Sequence, residues 1–181
     1  AKVPAAKNEP LASDREDHQA LKVPPHSLEA ERAVLGGLML DIGAWDAIAS
    51  LVTPEDFYRG EHRTIFRAME WLSADNKPLD IVTLAESLES HGELDAIGGL
   101  PYLSELAEST PSASNVTAYA EIVQERSTVR KLITVAHEIA ESGFNPLGRS
   151  SAELIDEAES RVFRIGDERP SRGGPESVRP L

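Results

Sequence analysis

Cysteine is absent from all 181 residues, which excludes disulfide frameworks, zinc–thiolate sites and thiol nucleophiles. Aromatic side chains are scarce at 5 %, against an apolar fraction of 40 %, so any core is built on Leu, Ile, Val and Ala. No apolar run approaches the ~20 residues of a membrane span. The first twenty residues are polar and charged, without the apolar stretch of a secretory signal. These absences set the expectation of a cytoplasmic protein without membrane contact. Basic residues are also in short supply: 18 Lys and Arg stand against 31 Asp and Glu, a net charge of −13. Such a chain repels phosphate polymers at long range, which argues against sequence-independent DNA binding as its own main role.

Catalytic signatures are missing too. No Gly-Lys dipeptide exists, so there is no phosphate-cradling Walker loop, and neither GxGxxG nor GxSxG occurs. His137-Glu138-Ile139-Ala140-Glu141 looks like a zinc-protease motif, but Glu141 stands where the second His must be. His26, His62 and His91 fall near expected helix ends and read as capping or surface residues. Arg59, Arg63 and Arg67 repeat at i,i+4 and form one basic stripe, either solvated and paired with nearby acids or a docking face for an acidic partner.

Charge is unevenly distributed. Within residues 1–23, Lys2, Lys7, Arg15 and Lys22 balance Glu9, Asp14, Glu16 and Asp17, and the stretch reads as a disordered arm. Residues 167–181 are rich in Pro and Gly and also near neutral, as in a flexible linker. The negative charge therefore lies in the middle of the chain.

That middle shows helix signals almost throughout and no sustained strand-type alternation. Pro24-Pro25 ends the arm, Ser27 can cap, and Leu28, Val34, Leu35, Leu38 and Met39 follow. Gly36-Gly37 inside that stretch costs roughly 1 kcal/mol per glycine in helix propensity, tolerated best where another backbone packs closely. A second helix is expected near 44–52, and Thr53-Pro54-Glu55-Asp56 is a helix start. Further helices are expected over about 61–72, from Asp80 to Ser90 with Gly92 as a left-handed stop, and from Pro101 to Ser109. From Asn115 to Ser142 there is neither Gly nor Pro. Val116, Tyr119 and Val123 form one apolar stripe; Val129, Leu132, Ala136 and Ile139 form another, out of phase with the first. Continuing the first stripe places Arg126 and Arg130 on the buried seam. The segment therefore kinks or folds back near 126–128, or shows its faces to two partners. Ser150 and Glu153 make a capping box for a helix to about Ile165, whose stripe of Ile155, Ala158, Val162 and Ile165 has no obvious place to bury itself.

The expected fold is all-α: a compact helical head over 24–112, a long helix or helical hairpin over 113–144, and a separate amphipathic linker helix over 150–166. Several stretches resemble one family. They are Leu21-Lys22-Val23-Pro24-Pro25-His26-Ser27, Glu29-Ala30-Glu31, Val34-Leu35-Gly36-Gly37-Leu38-Met39-Leu40-Asp41, and Asp56-Phe57-Tyr58 with His62 and Ile65-Phe66. Thr83-Leu84-Ala85-Glu86-Ser87-Leu88, Gly98-Gly99, Thr110-Pro111-Ser112-Ala113 and Ala158-Glu159-Ser160-Arg161-Val162-Phe163 complete the set. In this order they resemble the N-terminal domain and linker of the bacterial DnaB-type replicative DNA helicase.

The resemblance implies a non-enzymatic collar piece of an ATP-driven hexamer that unwinds duplex DNA at the replication fork. It implies dimers assembled into a ring, a primase partner, and contact with a helicase loader. ATP, Mg2+ and single-stranded DNA would belong to a RecA-like motor following residues 167–181. Ile133, Ile139 and Leu154 are then expected to transmit subunit and primase contacts, and Leu154, Ile155, Val162 and Phe163 to form a docking face. Other readings of the same residues are a stand-alone helical adaptor and a small metal-dependent helical hydrolase.

Overall fold

A computed structural model describes residues 22–168 and, among them, contains helices and turns but no strand. The arm over 1–21 and most of the expected linker, 169–181, lie outside the described residues.

Helix α1 (Leu28–Leu40) starts where expected: the Ser27 side chain accepts from the Ala30 amide. The Gly36-Gly37 pair has the close neighbours its cost requires. A Cβ at Gly36 would fall on the Thr110 hydroxyl and the Leu106 carbonyl, and one at Gly37 on the Val116 side chain. A short 3-10 turn (Ile42–Ala44) leads into α2 (Trp45–Ala49), which is shorter than expected, ending where the Ser50 hydroxyl donates to the Ala47 carbonyl. The Thr53-Pro54 start yields one 3-10 turn (Pro54–Asp56), closed by an Asp56 carboxylate that accepts from the Thr53 amide and hydroxyl.

Helix α3 (Gly60–Ala74) and α4 (Ile81–Ser90) follow. Asp80 caps α4 by accepting from the Val82 and Thr83 amides, and these bonds hold its carboxyl below the usual range. Gly98 is left-handed, at φ 102°, where the chain turns into α5 (Gly99–Glu108). Phe57, Phe66, Leu35, Leu38, Ile65 and Met69 are fully buried in one continuous core that also takes Leu84, Leu88, Leu103 and Leu106. Each such side chain contributes about 1.5–3 kcal/mol when fully buried.

The last third resolves the two out-of-phase stripes. Residues 116–144 form one uninterrupted helix, α6 (Val116–Phe144), with no corner near 126–128. Its first half packs on the head through Val116, Ala120, Val123 and Ser127. Its second half projects beyond the head, and α7 (Ser151–Asp167) folds back along it. The hairpin is therefore made of α6 and α7, and its corner lies at 145–150, where Leu147 and Gly148 both take positive φ. The segment expected to be a separate linker helix is the second arm of this hairpin. The physical reason is the polar turn Asn145-Pro146-Leu147-Gly148 together with the Ser150–Glu153 capping box, which restart the chain in the reverse direction.

Candidate functional site

The hairpin exposes more apolar surface than the head. On α6, Leu132 and Ile133 are exposed, the latter at 40 %, as are Ile122 and Phe144. On α7, Ile155 is 58 % exposed, Phe163 68 %, and Val162 is exposed as well. Ile122, Ile133, Ala140 and Phe144 fall on one side of a helix with 3.6 residues per turn, about a third of a turn round from the side that meets the head. Ile139 and Leu154 are only half-buried. Leu154, Ala158, Arg161 and Ile165 repeat at helical spacing, are all half-buried, and form the side of α7 turned to α6. The six residues expected at partner contacts thus divide: Ile133, Ile155, Val162 and Phe163 lie open, whereas Ile139 and Leu154 belong to the half-covered seam.

Ion pairs stitch this seam. Arg161 bonds Glu138 across it at 2.6 Å and Glu157 along α7 at 2.6 Å, and Lys131 reaches Glu168 at 3.2 Å. The Arg161 partner holds the Glu157 carboxyl below its usual value, and hydrogen bonds from Ser150 do the same for Glu153. Such exposed pairs contribute little individually. Between α6, α7 and the head lies a cleft of about 480 Å3, lined by cations (Arg130, Lys131, Arg161, Arg164) and acids (Glu55, Glu138, Glu168).

The root of the hairpin is polar. The Ser127 hydroxyl donates to Asp56 at 2.6 Å, and the Arg130 guanidinium donates to the carbonyls of Pro25 (2.7 Å) and Asp56 (2.5 Å). Arg130 thus does sit on the seam, as the first stripe required, while Arg126 is exposed.

Inside the head, His62 corrects the surface reading, whereas His91 is exposed at the C-cap of α4, as expected, and His26 is half-buried. His62 is fully buried: its Nδ1 is 2.5 Å from a Glu31 oxygen and its Nε2 2.7 Å from the Tyr102 hydroxyl. Glu31, 1 % exposed, also accepts from the Tyr58 amide at 2.6 Å. His26 stacks on Tyr58 at 4.1 Å, and His91 stacks on Trp71 at 4.3 Å. A buried His is satisfied here because Glu31, in the first turn of α1, supplies the acceptor that a hydrocarbon core lacks. Glu31, Tyr102 and Arg130 were not legible as partners, since 31, 40 and 105 residues separate the bonded pairs His62–Glu31, His62–Tyr102 and Arg130–Pro25. The basic stripe is mostly spent on local structure: Arg59 pairs with Glu61, and Arg63 donates to the Phe57 and Tyr58 carbonyls. Glu138 of the protease-like motif pairs with Arg161, and His137 is exposed. Among the described residues, no cluster of three or more His, Asp or Glu could hold a metal ion, and no helix is long and apolar enough to cross a membrane.

Comparison with known proteins places this architecture. The family of DnaB-like helicase N-terminal domains matches residues 23–125. The replicative DNA helicase DnaB of Haemophilus influenzae is 46 % identical over 168 residues, 92 % of this chain and 36 % of the relative. That of Geobacillus stearothermophilus is 41 % identical over 150 residues, 83 % of this chain and 33 % of the relative. The chain therefore spans about a third of the length of the curated relatives it matches. Among solved structures, the N-terminal domain of DnaB helicase from Mycobacterium tuberculosis is 35 % identical with a TM-score of 0.74, covering 78 % of this chain and 99 % of that one. A DnaB-like replicative helicase described with its interactions with primase is 28 % identical with a TM-score of 0.63, covering 77 % of this chain and 31 % of that one.

Proposed function

This chain belongs to the family of DnaB-like helicase N-terminal domains, and we propose that it is the assembly and primase-docking collar of a replicative DNA helicase. The observation that carries this reading is the apolar face left open on the hairpin: Ile133 on α6, and Ile155, Val162 and Phe163 on α7. Covering such side chains between copies recovers burial free energy that one copy forgoes. A second copy is the first occupant of this surface. Primase is a further partner, a proposal supported by the similarity to a helicase described with its interactions with primase. Contact with a helicase loader belongs to the same reading.

In this reading the collar itself transfers no group and hydrolyses nothing. Strand separation, ATP and Mg2+ belong to a RecA-like motor elsewhere in the protein, which also takes the single-stranded DNA. The acidic balance suits that division, since a chain of net charge −13 grips proteins more readily than phosphates. The place of action is the cytoplasm, at the replication fork.

Sedimentation velocity over a concentration series, with and without primase, tests this. Dimers or larger rings at micromolar concentration, and a heavier species on adding primase, are expected. A strictly monomeric profile that primase does not shift overturns the reading. ATP turnover that co-purifies with the chain contradicts the assignment of the motor elsewhere.

A further inference from the structure

We infer that a single side chain, Arg130, clamps the hairpin to the head and, with the same guanidinium, pins the segment that leads into α1. The inference rests on the root geometry alone and is independent of how copies assemble.

Beyond Ser127, α6 gives the head no further buried apolar residue. What continues the junction is Arg130, one turn farther along the same face. One terminal nitrogen donates to the Asp56 carbonyl, at the end of the 3-10 turn, and the other to the Pro25 carbonyl in the lead-in segment. These acceptors belong to two head segments separated by the whole of α1 and α2. The guanidinium also lies 5.7 Å from the centroid of the Tyr58 ring, and His26 stacks on that ring with its planes 8° apart. His26 Nδ1 is in turn 2.7 Å from the Pro24 carbonyl, which fixes the turn of the lead-in. Pro24, Pro25 and His26 are thus held against the hairpin root by Arg130 and Tyr58, without regular structure of their own.

The corner receiving Arg130 is itself immobilised from inside the head. Glu31 accepts from the Tyr58 amide, and Arg63 donates to the Phe57 carbonyl at 2.7 Å. A rigid corner, a planar fork that spans two carbonyls and a stiff helix continue the junction past the buried contacts at Val116, Ala120, Val123 and Ser127. Lysine cannot replace it, because an ammonium lacks the fork. Lys131, the next residue, does not share the load in the same way: it reaches Asp56 at 3.6 Å, is half-exposed, and also pairs with Glu168.

The experiment uses the whole chain. Because it has no cysteine, Glu89→Cys on α4 and Glu141→Cys on α6 provide the only two labelling sites for spin labels. Pulsed EPR on labelled chain diluted into an excess of unlabelled chain reads the distance within one copy. Arg130→Gln is expected to broaden that distance distribution at least twofold, whereas Arg126→Gln, which removes the same charge from the exposed side, leaves it unchanged. A distribution in Arg130→Gln that superimposes on the parent overturns the clamp. Far-UV circular dichroism runs alongside. Should Arg130→Gln lose helicity, Arg130→Lys takes its place, with broadening as the supporting result and a parent-like distribution as the overturning one. Proton NMR of His26 supplies the second readout: its ring signals, displaced by Tyr58, are expected to move to those of a free histidine in Arg130→Gln. Unchanged His26 signals overturn the claim that the same side chain holds the lead-in segment.

Discussion

His62 Nδ1 lies 2.5 Å from a Glu31 carboxylate oxygen, and neither residue is accessible to water. On the other side of the ring, Nε2 lies 2.7 Å from the Tyr102 hydroxyl, which can donate or accept there. This line of bonds from Tyr102 through His62 to Glu31 ties α5 and α3 to α1. Burial pushes the Tyr102 phenol above its ordinary value, which keeps it protonated. Glu31→Ala orphans the Tyr58 amide and the His62 ring, each at roughly 1–3 kcal/mol. Chemical denaturation is expected to show a loss of about 3 kcal/mol for Glu31→Ala and about 1 kcal/mol for Tyr102→Phe. Equal, small losses for both variants would contradict the ordering of the chain of bonds.

Gly36 is the tightest point between α1 and α5. Alanine there gains about 1 kcal/mol in helix propensity. The added carbon, however, meets the Leu106 carbonyl, part of a helix backbone that cannot yield as a flexible side chain does. Overpacking of this kind costs about 1–3 kcal/mol, so Gly36→Ala is expected to lower the melting temperature despite its propensity. Gly143, with open space around its Cβ position, is the control: Gly143→Ala on α6 should raise it. The reverse ranking would show that propensity outweighs contact here.

Two carboxylates give opposite pH signatures. Burial, with Glu55 nearby, raises Glu70 above the usual carboxylate value. Its ionised form is the penalised one, so Glu70→Gln is expected to stabilise the protein at neutral pH, and the gain should vanish as pH falls below the ordinary carboxylate range. Asp80 is depressed by the α4 amides it caps. Its contribution is present above the unfolded value and lost as pH falls through the lower folded one. Asp80→Ala therefore costs about 1 kcal/mol near neutrality and progressively less in acid. Thermal melts of both variants from pH 7 downward test the pair, and parallel curves would refute the assignment.

The open face of the hairpin predicts a separation of folding from assembly. Ile155→Asp and Phe163→Asp replace exposed side chains, so far-UV circular dichroism and melting of the monomer should change little. Self-association should weaken by tenfold or more, as sedimentation equilibrium can measure. Leu154→Asp places its charge at the half-covered seam instead and is expected to lower stability as well. Undiminished association in Ile155→Asp and Phe163→Asp would place the contact between copies elsewhere.

Local chemistry made much of the head readable. Ser27, Asp80 and the Ser150–Glu153 box announce helix starts because their bonds reach only two or three residues. Gly92 announces a stop because a positive φ suits glycine. The Gly36-Gly37 pair announced a close neighbour, though not which one. The stripes alone did not fix the corner of the hairpin, because a change of stripe fits a change of chain direction and a change of surroundings equally well. In the structure the helix runs straight on; what changes near Ser127 is its surroundings, from the head to α7 and solvent.

The amino-acid order alone determined an all-helical chain, most of its caps, and an amphipathic final helix, because each depends on neighbours within one or two turns. Tertiary structure decided that His62 is buried, that Arg130 faces two carbonyls, and that Leu154 turns inward while Phe163 stays open. Those outcomes depend on which distant segments arrive at the same place, and a buried polar group chooses its partner only among the groups that packing brings within bonding distance.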